Sequence, residues 1–139
     1  MFRRILVPVD FTPKSSRAVR AASRVAQRVG GTTTLLHVIE RVDAGDPSSF
    51  AAFYRKLEQN ARRRLAELAG IASKKGLPVR TAVVYGNRVN EILRYAGASQ
   101  ADLIVMSSHR LPTRPKSQDW GTISYKVSVL SRCPVLLVK

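Results

Sequence analysis

RRILVPVDFTPKSSRAVRAASRVAQRVGGTTTLLHVIE, residues 3–40, holds two short apolar runs separated by a stretch of a different period. The runs RRILVPVD and TTTLLHVIE are aliphatic and β-branched and are bounded by charge, which predicts strands. Between them Thr12 stands at a cap position with Pro13 as the first helical residue. Ala18, Ala22, Val25, Ala26 and Val29 then recur on one side, and Gly30-Gly31 ends the pattern. Arg17, Arg20, Arg24 and Arg28 fall on the other side and read as a solvated face. A strand, a helix of this length and a second strand make a right-handed crossover unit with parallel strands.

The same alternation continues outward. PVRTAVVYG (78–86), ADLIVMSS (101–108) and CPVLLVK (133–139) repeat the strand pattern, and several runs are continuously apolar, as in strands covered on both faces. A second helix is predicted from Ser48 or Ser49, with Phe50, Tyr54, Leu57, Ala61, Leu65, Leu68 and Ala72 facing the core and Gly76 and Pro78 stopping it. A third starts at Asn87 as cap and buries Val89, Ile92, Leu93 and Ala96. A fourth follows Gly121, with Ile123, Val127 and Leu130 facing inward and Pro134 beyond its end. The order βαβαβαβαβ predicts an α/β fold: a doubly wound, five-stranded parallel sheet with helices on both faces. Its ligand crevice would lie at the carboxyl ends of the strands, where the strand order reverses.

Bulk composition bounds the function. With 139 residues, 45% of them hydrophobic, the chain is sized for one domain, 1–139, with a buried core. Its longest apolar runs fall far below the about 20 residues that cross a bilayer, so no membrane insertion is expected. Pro8 and Asp10 cut the first apolar run too short for a secretory signal, and a cytoplasmic chain is the expectation. Cys133 is the only cysteine and is assigned to packing; His37 and His109 lack a motif partner for a metal. The excess of 24 Lys and Arg over 9 Asp and Glu, a formal +15, predicts attraction to polyanions without naming one. Arg62, Arg63 and Arg64 form a further cluster, again read as a solvated face.

No glycine interrupts VDFTPKSSRAV, which excludes a dinucleotide fingerprint or a Walker-type loop after the first strand, and no G-x-S-x-G elbow occurs. The connection MSSHRLPTRPKSQDWGT (106–122) is long for a strand-to-helix turn, a length that favours a functional role.

Taken together, ILVPVDFTPKSSRAVRAA, LLHVIE, VYGNRVNEIL, ADLIVMSSHR and GTISYKVSVLSRCPVLLV resemble the universal stress protein family over almost the whole chain. The resemblance implies an adenine nucleotide α-hydrolase-like sheet in the order 3-2-1-4-5. It also implies a site for ATP or another adenine nucleotide, with Mg2+ only alongside the nucleotide. By resemblance, Pro8, Val9 and Asp10 line the base and ribose side, and Val38 offers main-chain groups to the adenine edge. Ser107, His109, Arg110, Gly121, Thr122 and Ile123 match the phosphate side. The resemblance further implies a homodimer through Val135, Leu136, Leu137 and Val138, an apolar edge strand of the kind that pairs. Read without the resemblance, Asp10 caps the first helical turn, Val38 is core, and the last strand is a short edge blunted by Lys139.

The phosphate loop departs from the family. Ser107 and Arg110 replace its first two glycines, ten residues rather than nine separate Arg110 from Gly121, and Pro112 and Pro115 remove N–H donors. A left-handed Arg110 would cost about 1–2 kcal/mol. Arg110, Arg114 and Lys116 offset this on a comparable scale, about 1.5–3 kcal/mol for each charge-assisted hydrogen bond. A site that has moved from a backbone nest towards side-chain cations would be unusually salt-sensitive. Asp119 either pairs with Arg114 or Lys116 or caps the next helix, and no carboxylate is stationed to orient a water. Binding therefore fits better than catalysis, with at most weak ATP hydrolysis. Three functions stay open: a nucleotide-binding stress-response protein, an interaction module of the same fold without nucleotide, and non-specific nucleic-acid binding through the basic surface. Trp120 is the only tryptophan and the arginine clusters lack interleaved aromatics, which weighs against the third.

Overall fold

A computed structural model describes residues 1–41, 47–73, 76–108, 114 and 122–139. The elements run β1 (Arg4–Pro8), α1 (Pro13–Val29), β2 (Thr32–Ile39), α2 (Pro47–Ser73), β3 (Val79–Tyr85), α3 (Arg88–Ala98), β4 (Leu103–Ser107), α4 (Ile123–Leu130) and β5 (Val135–Val138). All five strands are parallel, in the order β3-β2-β1-β4-β5, as the sequence predicts. The chain leaves β1 in one direction for β2 and returns on its other side as β4, so the topological switch point lies between β1 and β4.

Side-chain alternation along the strands divides the core in two. Ile5, Val7, Leu35, Leu103 and Val105 pack under α1 and α2 with Ala18, Ala22, Ala26, Leu65 and Ala72. Leu6, Leu36, Val38, Ile104 and Met106 point the other way, onto Val89, Ile92 and Ala96 of α3 and Val127 of α4. Small residues along the buried stripe of α1 let that helix lie close to the sheet, while Arg17, Arg20, Arg24 and Arg28 remain in water. Gly30 ends α1 in the left-handed region at φ 68°, its N–H bonded to the Ala26 carbonyl. Cys133 is half-buried against the α3–α4 side of the core, the packing role expected of it.

Three expectations from the helical periodicity need correction. Phe50 and Leu57 are exposed, because α2 is 27 residues long and its first half runs beyond the sheet that would cover it. The buried contact begins at Ala61 and continues through Leu65 and Ala72. Leu130 is also exposed, together with Val129, at 59% and 62% of their surfaces: α4 is only two turns long and Val127 alone of its aliphatic residues is completely covered. Thr12 occupies the N-cap position of α1, but its hydroxyl donates to Asp10 Oδ1 at 2.8 Å instead of capping the helix.

Candidate functional site

Where β1 and β4 diverge, a hollow of about 300 Å3 opens at the carboxyl ends of the strands. Pro8, Val9 and Asp10 form one wall, Leu36 and Val38 the floor, and Ser107, Thr122 and Ile123 the wall opposite. Seven of the ten site residues expected from the sequence are thus brought together, Asp10 and Thr122 among them. His109, Arg110 and Gly121 lie outside the described residues, as do Pro112, Pro115, Lys116, Asp119 and Trp120.

Asp10 stands two residues past the end of β1 and turns the chain into α1. Its Oδ1 accepts the Thr12 N–H at 3.0 Å, the Thr12 hydroxyl at 2.8 Å and the Ser15 hydroxyl at 2.9 Å. Burial raises the Asp10 pKa, but these hydrogen bonds outweigh it and hold the carboxyl below its ordinary value, so it is an anion at neutral pH. Asp10 organises the turn through Oδ1 and also lines the hollow, with Thr12 rather than Asp10 in the N-cap position.

Val38 owes its place to the end of β1. Val9 N–H donates to the Leu36 carbonyl at 2.9 Å, which fixes the polar groups of Leu36, and of Val38 two residues on, towards the β1 side. A continued ladder would place the Val9 carbonyl on the Val38 N–H. Instead that carbonyl accepts from His37 Nδ1 at 2.8 Å, and neither main-chain group of Val38 has a partner on that side among the described residues. Because a carbonyl only accepts, Nδ1 carries the proton. The His37 ring is half-buried against Phe11, with centroids 4.3 Å apart. Arg64 covers the Phe11 ring and donates to its carbonyl at 3.2 Å. Burial, chiefly, and then the Arg88 charge press the His37 pKa down against the raising effects of Val9 and Asp10.

On the far wall Thr122 caps α4, its Oγ1 accepting the Tyr125 N–H at 3.3 Å. The N–H groups of Ile123 and Ser124 lie in the first turn of the helix, before the first N–H that finds a helical acceptor. They have no hydrogen-bond partner among the described residues, so they are available to an anion alongside the positive end of the helix dipole. A chain of hydroxyls runs behind them from Thr122 through Ser124 to Ser108, in steps of 3.4 Å.

Sequence reasoning missed Lys14, Arg88, Ser108 and Ser124, which also line the hollow. Lys14 was readable in principle, standing one helical turn after Asp10. Arg88, the first residue of α3 after the Asn87 cap, enters from the carboxyl end of β3, across β2 from β1; the expected strand order brings that turn to the crevice, but nothing in its pattern singles Arg88 out. Gly86 shapes this turn at φ 145°, where a Cβ would meet Glu91 Cγ at 2.7 Å. Among the described residues no three His, Cys, Asp or Glu gather to hold a metal, and no helix is long and apolar enough to cross a membrane.

Comparison with known proteins points one way. A family model described as Universal stress protein family matches residues 1–139. Universal stress protein YxiE of Bacillus subtilis is 28% identical over 149 residues, covering 100% of both chains. Universal stress protein MJ0577 of Methanocaldococcus jannaschii is 26% identical over 156 residues, covering 100% of this chain and 96% of its own. The solved MJ0577 structure superimposes with a TM-score of 0.82, covering 100% and 96% of the two chains. A universal stress protein solved in complex with cAMP superimposes equally well, at a TM-score of 0.82 over 99% and 97%, with 22% identity.

Proposed function

Since the chain belongs to the universal stress protein family, we propose that its carboxyl-end crevice binds ATP or a related adenine nucleotide as a regulatory ligand in the cytoplasm. The observation that carries this reading is the open main-chain pair of Val38. One N–H and one C=O, adjacent and facing an apolar floor, match the acceptor and donor on the pairing edge of adenine. Pro8, Val9 and Ile92 supply the apolar walls, and the ionised Asp10 is stationed for a ribose hydroxyl. Phosphates would meet the amino end of α4, the hydroxyls of Thr122 and Ser107, and the cations Lys14 and Arg88; His109, Arg110 and Gly121 belong to the same proposal from the sequence. Mg2+ would arrive only with the nucleotide. That this fold accommodates an adenine nucleotide is supported by the neighbour in complex with cAMP.

The reading is for a binder and sensor, not an efficient enzyme: the only carboxylate lining the crevice among the described residues, Asp10, is committed to the β1–α1 turn. The partner is a second copy of the chain, joined along β5, where Leu136 is exposed on the α1–α2 side of the sheet and Val129 and Leu130 of α4 are exposed on the other. That apolar surface also favours a second reading, a dimeric interaction module of the same fold without nucleotide.

Thermal unfolding with ATP, ADP, AMP and pyrophosphate at two salt concentrations separates them. A ligand at 100 times its Kd adds about 2.7 kcal/mol. Adenine nucleotides are expected to stabilise beyond pyrophosphate. Equal effects would mean a polyanion sink, and no shift with any ligand leaves the interaction module.

A further inference from the structure

A second hollow, of about 410 Å3, lies at the opposite end of the sheet from the nucleotide crevice and owes nothing to that reading. Its walls are the amino ends of β1, β2 and β3 and the last turn of α3. Arg4, Thr32, Thr34 and Arg80 face it from the strands, and Tyr95 and Ser99 from the helix.

Register explains why these side chains converge. Arg4 pairs with Thr32, and Leu6 pairs with Thr34, which in turn pairs with Arg80. Residues two apart share a face, so both threonines and both arginines stand on the side of the sheet that carries α3. Strands about 4.8 Å apart and a rise of about 3.3 Å per residue set the two arginine Cα atoms about 12 Å apart, within joint reach of one small anion. Deeper along the same face the sheet is apolar, with Leu36 and Val38 covered by α3. At this end α3 has stopped, and the exposed strip is polar and cationic.

Few of its polar groups are used internally; the Ser99 hydroxyl donates to the Tyr95 carbonyl at 2.7 Å. The Arg80 guanidinium and the Tyr95 hydroxyl have no hydrogen-bond or ion-pair partner among the described residues, and the Arg4 guanidinium has only the Gln100 side-chain carbonyl. Among the described residues no carboxylate lines the hollow. The nearest in sequence, Asp102, is occupied by the N–H groups of Arg3 and Arg4 at 3.0 and 2.9 Å, which ties down β1 and leaves the guanidinium groups uncompensated. Two planar forks that accept fork-like oxygen pairs, a phenol and threonine hydroxyls make up the donor set of a phosphate site, and a concave hollow of this size suits a small molecule.

We propose that this amino-end hollow is a second ligand site, for a small phosphorylated molecule whose phosphate or diphosphate group is clamped by Arg4 and Arg80 with the Tyr95 hydroxyl. Being held by two strands that also bear the nucleotide crevice, it gives the domain one anion site at each end of its sheet.

The test follows amide shifts of the full-length 15N-labelled protein titrated with inorganic pyrophosphate. Saturable shifts are expected at Thr32, Thr34, Arg80, Tyr95 and Ser99, separate from any at Val38, Ser108 and Thr122. Arg80→Ala is expected to weaken binding at the first group by about ten-fold or more. Arg24→Ala removes an equal charge from the exposed face of α1 and is expected to leave it within about two-fold. Arg80 is exposed, so its replacement keeps the fold, and an unchanged crevice response verifies that within the same titration. The proposal is overturned if the amino-end residues do not shift, or if Arg80→Ala and Arg24→Ala weaken their response alike, since either result reduces the hollow to part of a general cationic surface.

Discussion

Replacing His37 by Leu should separate base recognition from phosphate recognition. The imidazole holds the Val9 carbonyl at 2.8 Å and contacts the Phe11 ring at 4.3 Å. Leu keeps the half-buried volume but provides no donor. Loss of the hydrogen bond costs about 0.5–1.5 kcal/mol and loss of the ring pair a similar amount, so stability should fall by about 1–3 kcal/mol in urea unfolding. Part of this returns if the freed Val9 carbonyl captures the Val38 N–H, completing the ladder that His37 now interrupts. That capture would close the donor offered to adenine. Affinity for AMP and ATP, measured by calorimetry, should therefore fall by about ten-fold, the value of one hydrogen bond of about 1.4 kcal/mol, while pyrophosphate is unaffected. His37→Gln, which restores an N–H donor, should recover part of the loss. The variant also has a pH signature. The folded protein disfavours the imidazolium, so its pKa lies below the ordinary 6.5 and the unfolded chain takes up the proton first. Stability is complete above that value and falls as the pH drops through it. One proton bounds the slope at about 1.4 kcal/mol per pH unit, and solvent screening of this half-exposed ring lowers it further. His37→Leu should flatten this segment of the curve. Equal losses of ATP and pyrophosphate affinity, or none in either, would refute the role assigned to the imidazole.

Gly86→Ala is expected to lower stability by about 1–3 kcal/mol, because φ 145° is closed to an L side chain and the new Cβ would displace Glu91; chemical denaturation measures it. The same change should weaken ATP binding more than AMP binding, since the turn delivers Arg88 to the crevice. Val129→Glu with Leu130→Glu alters residues that contribute little to the monomer core and should convert a dimer to a monomer in sedimentation equilibrium, with the unfolding curve at low concentration little changed. A monomeric parent chain would remove β5 and α4 as the interface.

The sheet was legible because its strands advertise themselves. ILVPV, LLHVI and LIVMS have no polar face to lose, and only burial on both sides accommodates them. Helix boundaries came from caps with a mechanism: Asn87 does accept the Asn90 N–H, at 3.1 Å. What periodicity does not encode is where the neighbouring layer ends. Phe50 and Leu57 continue the α2 stripe in phase with Leu65, yet the sheet has stopped beneath them. The same holds for the crevice. Asp10, Val38 and Thr122 are readable as strand ends and a helix start, whereas Arg88 is one of several residues after the Asn87 cap, and its pattern does not tell which of them turns into the crevice. The bond between His37 and Val9 was beyond reach for another reason, since it depends on one imidazole nitrogen replacing one amide of the ladder.

The charge of the chain and the selectivity of its crevice are separate problems with separate solutions. A formal +15 draws anions from every direction, and Lys14, Arg88 and the amino end of α4 concentrate them at the carboxyl end of the sheet. In the proposed nucleotide site that attraction would compensate for a loop short of glycine, but it acts on pyrophosphate, nucleotides and nucleic acid alike and fades with salt. Discrimination has to come from groups that charge does not satisfy. In this crevice those are the N–H and C=O of Val38, left open because β1 turns away after Val9 and His37 occupies the carbonyl that would have closed the ladder. Salt should therefore weaken pyrophosphate, the more highly charged anion, more than AMP, so that the ratio of AMP to pyrophosphate affinity rises with salt. On the proposed reading, a sequence that loses glycines from this loop keeps a nucleotide site on that condition, because the part that would recognise the base lies in the sheet and not in the loop.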